Sequence, residues 1–173
     1  IKDTTEKTKK MEENKEAQEN LQEKREQALW RLHEERTEEA LWDCVVAFQE
    51  FEFHTYSGLP YSYHMKYGRS GTYTKELWID RREKSKSLVW SSVRSAYQKV
   101  LELQQESERP VVERPKALGD IRGITYIYGI FYEFALLEMQ KKKLLCRQQD
   151  KNRRENKFFA HAGLDNHALG DII

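Results

Sequence analysis

Ile121-Arg122-Gly123-Ile124-Thr125-Tyr126-Ile127-Tyr128-Gly129-Ile130-Phe131-Tyr132-Glu133-Phe134-Ala135-Leu136-Leu137 is apolar on nearly every side. Such a run marks the most buried element of a domain, and whether it is helix or strand decides the fold class. Its β-branched and aromatic residues permit a strand. Apolar residues continuing through Leu144, Leu145 and Cys146 give it helical length, which favours helix. Gly129 and Glu133 interrupt it, and it falls short of the roughly 18 apolar residues that a membrane span needs. No signal-peptide pattern is present, so neither secretion nor membrane insertion is indicated. The fold class read from this stretch is mainly α: a helical bundle with a β-hairpin insertion and a long polar N-terminal helix.

Upstream, residues 28–53 read as an amphipathic core helix. Leu29, Leu32, Leu41, Val45 and Phe48 follow helical spacing, and Trp30, Trp42, Val46 and Phe51 widen the apolar face. Residues 1–27 are Lys, Glu and Gln with little to bury, which predicts a charged helical extension ahead of a compact domain over 28–173. A heptad seam is missing until Leu21, Ala28 and Leu32, so this arm reads as a solvated helix or as a docking arm. Gly58 and Pro60 stop the core helix. Tyr61, Tyr63, Met65 and Tyr67 then alternate with Ser62, His64 and Lys66, and Gly68-Arg69-Ser70-Gly71 leads into a second β-prone run. That pattern predicts a hairpin at about residues 60–80. Residues 88–106 form a second amphipathic helix, with Ser87 as its expected N-cap, and residues 107–120, with Pro110, Pro115 and Gly119, form a loop.

The 30 Lys and Arg residues against 29 Asp and Glu give a net charge of +1, so any attraction for nucleic acid must be local. Two local concentrations exist. Arg81, Arg82, Lys84, Lys86, Arg94 and Lys99 form the first, and residues 141–157, including Arg153, Arg154 and Lys157, the second. Either is a solvated face or a phosphate-contacting patch. Cys44 and Cys146 show no zinc-ligand spacing. Buried thiols in a reducing cytoplasm are expected from them rather than a disulfide. No metal or cofactor is expected; His167, six residues after His161, is too weakly spaced to argue for one. The chain begins with Ile1 rather than Met, as a fragment or processed product does.

The segment Arg153-Arg154-Glu155-Asn156-Lys157-Phe158-Phe159-Ala160-His161-Ala162-Gly163 carries the sharpest chemistry. On a helix, residues seven apart project about 20° from each other, so Arg154 and His161 share a face. Asn156 lies roughly 160° round from Arg154. Phe158 and Phe159 are expected to anchor the segment in the core, and Gly163 to end the helix. Histidine suits proton transfer near neutral pH, and arginine offers a permanent forked contact to phosphate. The alternative is a histidine favourably placed at a helix C-terminus with an arginine that meets Glu155 or solvent.

This segment resembles the end of the HEPN domain of CRISPR-associated type III ribonucleases, whose signature is an arginine, four to six residues and a histidine. The likeness covers about a dozen residues. Six residues separate Arg154 from His161, and Glu155 stands where the family commonly has a polar amide. A four-residue register would instead put Asn156 at the arginine position. The resemblance implies a metal-independent endoribonuclease that cleaves single-stranded RNA where two domains pair. In it Arg154 would clamp phosphate, His161 would transfer protons, and Asn156 would orient the histidine or the phosphate. The partners it implies are RNA and a second copy of the chain, with the N-terminal helix as the docking arm. The other functional expectation is a non-catalytic nucleic-acid-binding or adaptor protein. It would use the basic residues Arg81, Arg82, Lys84 and Lys86 with the tyrosine-rich hairpin, and Arg153 and Lys157 nearby.

Overall fold

The computed structural model describes residues 2–81 and 84–161, in side-chain detail over 8–81 and 84–160. Arg82, Gly163 and the tail expected from residue 164 lie outside the described residues, as does the side chain of His161. The fold is mainly helical, with one small antiparallel sheet inserted between helices.

Helix α1 (Lys2–Glu35) is continuous through the polar arm and into the body, and every residue from 8 to 24 is exposed. The single helix expected over 28–53 is broken in two. Arg36 takes the left-handed conformation (φ 52°) and closes α1, its N–H donating to the Leu32 carbonyl at 3.0 Å. Thr37 then caps α2 (Glu38–Ala47), its hydroxyl accepting from the Ala40 N–H at 3.2 Å. Glu38 and Glu39 in the first turn favour the positive end of the helix dipole. The two helices run antiparallel. Arg25 of α1 donates to the carbonyls of Ala47 and Gln49 beyond the end of α2, at 3.1 and 3.2 Å. Its guanidinium also lies over the Phe48 and Phe51 rings. Nearer the turn, Arg31 pairs with Glu35 and Asp43. Trp30, expected on the apolar face, is 69% exposed, because α2 covers the side carrying Ala28, Leu29 and Leu32.

The expected hairpin is present as β2 (Pro60–His64) and β3 (Glu76–Asp80), between the short edge strands β1 (Phe53–His54) and β4 (Lys86–Val89). The order is β1-β2-β3-β4, every neighbouring pair antiparallel. Alternation puts Phe53, Tyr61, Tyr63, Leu77, Ile79 and Leu88 on the inner face, all buried. Tyr63 donates its hydroxyl to the Val45 carbonyl at 2.5 Å, tying sheet to α2. Ser87 is not the helix cap expected of it. It pairs with Trp78 on β4, and α3 (Trp90–Gln104) starts three residues later with Val89 in the extended cap position. Leu88 paired with Leu77 is a cross-strand contact that outweighs the local helical pattern.

The apolar run is helical as read, but shorter. Helix α4 (Ile124–Glu133) ends where Ala135 adopts φ 56° and the Leu136 N–H donates back to the Phe131 carbonyl at 3.0 Å. That is a left-handed helix stop made without glycine. Leu136 and Leu137 remain buried, Glu138 pairs with the 110–112 segment, and α5 (Lys141–His161) is a separate helix. His33 of α1 hydrogen-bonds the Phe134 carbonyl at 2.8 Å, joining the end of α4 to the helical pair. Phe48, Phe53 and Phe134 meet edge-on or tilted at the centre of the core.

Both cysteines are free, and only Cys44 is buried as expected; Cys146 is exposed on α5. Burial, and then the nearby Asp43 carboxylate, push the Cys44 thiol far above its ordinary range. A thiol reagent is therefore expected to label one cysteine of the native protein quickly and the second only after denaturation. Peptide mapping that found Cys44 labelled first would contradict this packing.

Candidate nucleic-acid interface

The site is built on a tight turn. The Thr55 N–H donates to the Leu59 carbonyl at 2.9 Å, the Leu59 N–H returns to the Thr55 hydroxyl at 3.1 Å, and Gly58 supplies the left-handed residue (φ 90°). This closed turn presents Leu59 and Pro60 as a firm apolar wall. The next residue, Tyr61, reaches inward under α4 and donates its hydroxyl to the Tyr126 carbonyl at 2.6 Å. Burial, reinforced by Tyr126, holds the Tyr61 phenol well above its usual range, so it stays neutral and remains a donor. The approach requires Gly129. A Cβ there would lie 2.4 Å from the His54 carbonyl oxygen and 2.5 Å from the Tyr61 hydroxyl.

Above this floor, Arg81 at the end of β3 donates to the Tyr126 hydroxyl at 2.6 Å, its guanidinium carbon 5.7 Å from the ring centre. Lys84 of the β3–β4 loop and Arg154 of α5 complete a cavity of about 630 Å³ with Leu59, Pro60 and Tyr61. Among the described residues no carboxylate lines it. Among the described residues the ion pairs engage other cations elsewhere, including Arg94, Arg109 and Lys116, and none of them involves Arg81, Lys84 or Arg154. A concave surface with three cations and no described carboxylate attracts anions by Coulomb forces that its partial enclosure keeps from full screening.

Helix α5 is held to the body near its start. Lys143 stands 4.6 Å from the Tyr56 ring centre, Arg147 donates to the Met139 sulfur at 3.7 Å, and Leu144 packs on the core. A second cavity of about 580 Å³ lies beyond Arg154, lined by Glu52, His54, Asp150, Glu155 and Lys151 among others. Its mixed charges cancel where those of the first add.

The structure thus joins Arg81 and Lys84 from one basic run to Arg154 from the other. Arg153, Asn156 and Lys157 are exposed on α5 and line neither cavity, and Lys86 is half-buried in register with Ile79. The backbone of His161 ends the described part of α5, seven residues from Arg154 on an unbroken helix. Phe158 and Phe159 are not core anchors. They are 72% and 41% exposed and meet each other edge-on, and no other described element covers this half of α5.

On the hairpin, the Tyr67 and Tyr73 rings stack at 4.4 Å with Tyr67 67% exposed. Lys66 and Lys75 are drawn over the Trp78 and Trp42 rings at 3.6 and 3.4 Å, so their charges serve the sheet as well as the surface. Neither Tyr126 nor Pro60 was named as a site residue from sequence. The signal for Tyr126 was faint: one polar-tipped residue beside buried Ile127 in an apolar run. Also unforeseen, His64 hydrogen-bonds Asp80 at 2.6 Å on the outer face of the sheet, and Ser85 donates to the other oxygen of that carboxylate at 3.0 Å.

Among the described residues no group of three or more His, Cys, Asp or Glu is placed to hold a metal, and no helix is long and apolar enough to cross a membrane. No protein-family model, curated protein or solved structure matches this chain.

Proposed function

We propose that this protein binds single-stranded RNA, with phosphate seated between Arg81, Lys84 and Arg154. The observation that carries this reading is the convergence of two basic runs, remote in sequence, at one cavity walled by tyrosine and proline and free of described carboxylates. Arg81 is preorganised by its bond to Tyr126, which reduces the ordering cost of a phosphate contact. Tyr126, and the exposed Tyr67 on the hairpin, offer rings on which unpaired bases stack.

A second reading adds cleavage. Helix α5 is continuous through Arg154 and His161, which supports the HEPN-like pairing of phosphate clamp and proton-transfer group on one helix face. That chemistry needs two copies, each contributing one pair, and the exposed arm of α1 is the docking element proposed for them.

Fluorescence anisotropy with a labelled single-stranded RNA should give an affinity that falls steeply between about 50 and 200 mM salt. The same RNA, incubated with the protein in EDTA, separates the two readings on a gel. Intact RNA leaves the binder. EDTA-resistant scission abolished by His161→Ala establishes the nuclease, while scission insensitive to that change rejects it. Absence of any salt-dependent binding would reject both.

A further inference from the structure

We infer that the cavity between Arg81, Lys84 and Arg154 takes a phosphate monoester, the phosphorylated end of an RNA strand, rather than a linkage within it. This rests on the RNA-binding reading and names what that site selects.

Charge is the first argument. A phosphodiester carries one negative charge, whereas a terminal phosphate carries about −1.5 to −2 at neutral pH and three outward oxygens. Three cations, uncompensated by any described carboxylate, match the second better than the first. Arginine supplies forked donors and lysine a point charge, so Arg81, Arg154 and Lys84 can each address a separate oxygen.

Shape is the second. Residues that track a strand form a stripe along a groove. Here the cations stand around one concavity whose walls come from separate parts of the chain: the 55–59 turn, the end of β3, the β3–β4 loop, α4 and α5. Its volume, about 630 Å³, falls in the range of small-ligand sites. The neighbouring basic residues that would continue a track, Arg153 and Lys157, do not line it, and in the adjoining cavity Glu52, Asp150 and Glu155 offset Arg147 and Lys151, so the excess of positive charge stops there. A strand passing through would carry its next phosphates into that region of offsetting charge, which gives them no net attraction. An end that stops in the first cavity keeps its whole charge beside the three cations.

The walls agree. The Tyr61 hydroxyl donates to the Tyr126 carbonyl and the Tyr126 oxygen accepts from Arg81, which leaves the Tyr126 O–H as one donor beside the apolar surface that Pro60, Leu59 and the Tyr126 ring offer to the terminal sugar or base. Phosphate is then read by charge and the nucleoside by contact.

The test uses the full chain and matched oligoribonucleotides with 5′-phosphate or 5′-hydroxyl, labelled at the 3′ end, and a second set with 3′-phosphate or 3′-hydroxyl, labelled at the 5′ end. One phosphorylated end should bind about tenfold or more tightly than its hydroxyl counterpart. The preference should collapse in Lys84→Ala and Arg154→Ala and persist in Arg109→Ala, whose side chain pairs with Glu138 elsewhere. Equal binding of phosphorylated and hydroxyl ends overturns the inference and leaves RNA binding standing. If no RNA binds but adenosine monophosphate or inorganic phosphate does by calorimetry, with loss in the same two variants, the monoester site stands and the RNA reading falls. Silence in both assays removes both.

Discussion

Arg81→Ala combined with Arg154→Ala is expected to weaken binding of single-stranded RNA by about a hundredfold or more. Each guanidinium removed takes with it a charge-assisted hydrogen bond, worth roughly 1.5–3 kcal/mol when well made. Two such losses span about 3–6 kcal/mol if they add. The side chains share one cavity and are partly exposed, so they couple and are screened, and the low end of that range is the sounder expectation. The salt dependence carries a second signature. For single strands the slope of log affinity against log salt is about −0.7 per phosphate neutralised, so losing the one phosphate contact that these arginines share should make the double variant shallower by about 0.7. Anisotropy titrations at several salt concentrations read both quantities. A variant that keeps wild-type affinity and slope would show that RNA, if bound, sits elsewhere.

Gly129→Ala should be the most destabilising small substitution in the helical core, by about 3 kcal/mol, the upper end for overpacking. The added methyl carbon has no free space. It would stand 2.4 Å from the backbone oxygen of His54, which cannot swing aside as a long side chain does, and 2.5 Å from the Tyr61 hydroxyl. Relief requires α4 to lift from β1 and β2, which opens the bond from Tyr61 to Tyr126 and loosens the cavity floor. With a urea slope of about 2 kcal/mol/M, the unfolding midpoint should fall by about 1.5 M. Phosphate or RNA binding should weaken alongside. An unchanged midpoint would mean that α4 and the sheet are less closely apposed than described.

Much of this architecture was readable from local pattern. The apolar run containing Ile127, Phe131 and Phe134 had the length of a helix, and the alternation of Tyr61 and Tyr63 with Ser62 and His64 marked the inner and outer faces of β2. The breaks were less legible. Arg36 and Ala135 end helices in the left-handed conformation without the glycine that ordinarily signals it, so two helices read as one at each place. Strand β4 was hidden because Leu88 and Val89 fit a helical period equally well, and only the partner strand decides. The site was half visible. Basic runs announce themselves in composition, but Arg81 meets Tyr126 across 45 residues, and no local spacing encodes that pairing. Phe158 and Phe159 misled because an aromatic pair implies burial only where another surface exists to receive it.

Helix α5 has a mechanical consequence. Its 21 residues extend about 30 Å, yet the contacts fastening it to the body cluster around Lys143, Leu144 and Arg147, and Arg154 lies two turns farther out. It behaves as a cantilever, with one jaw of the anion clamp on its beam and the bare Phe158–Phe159 pair near its tip. An anion closing that jaw stiffens the beam, and by reciprocity of linkage anything that grips the aromatic tip resets the grip on phosphate. Amide exchange along the outer turns of α5 should therefore slow when phosphate binds, and unaltered exchange would show the beam to be rigid already.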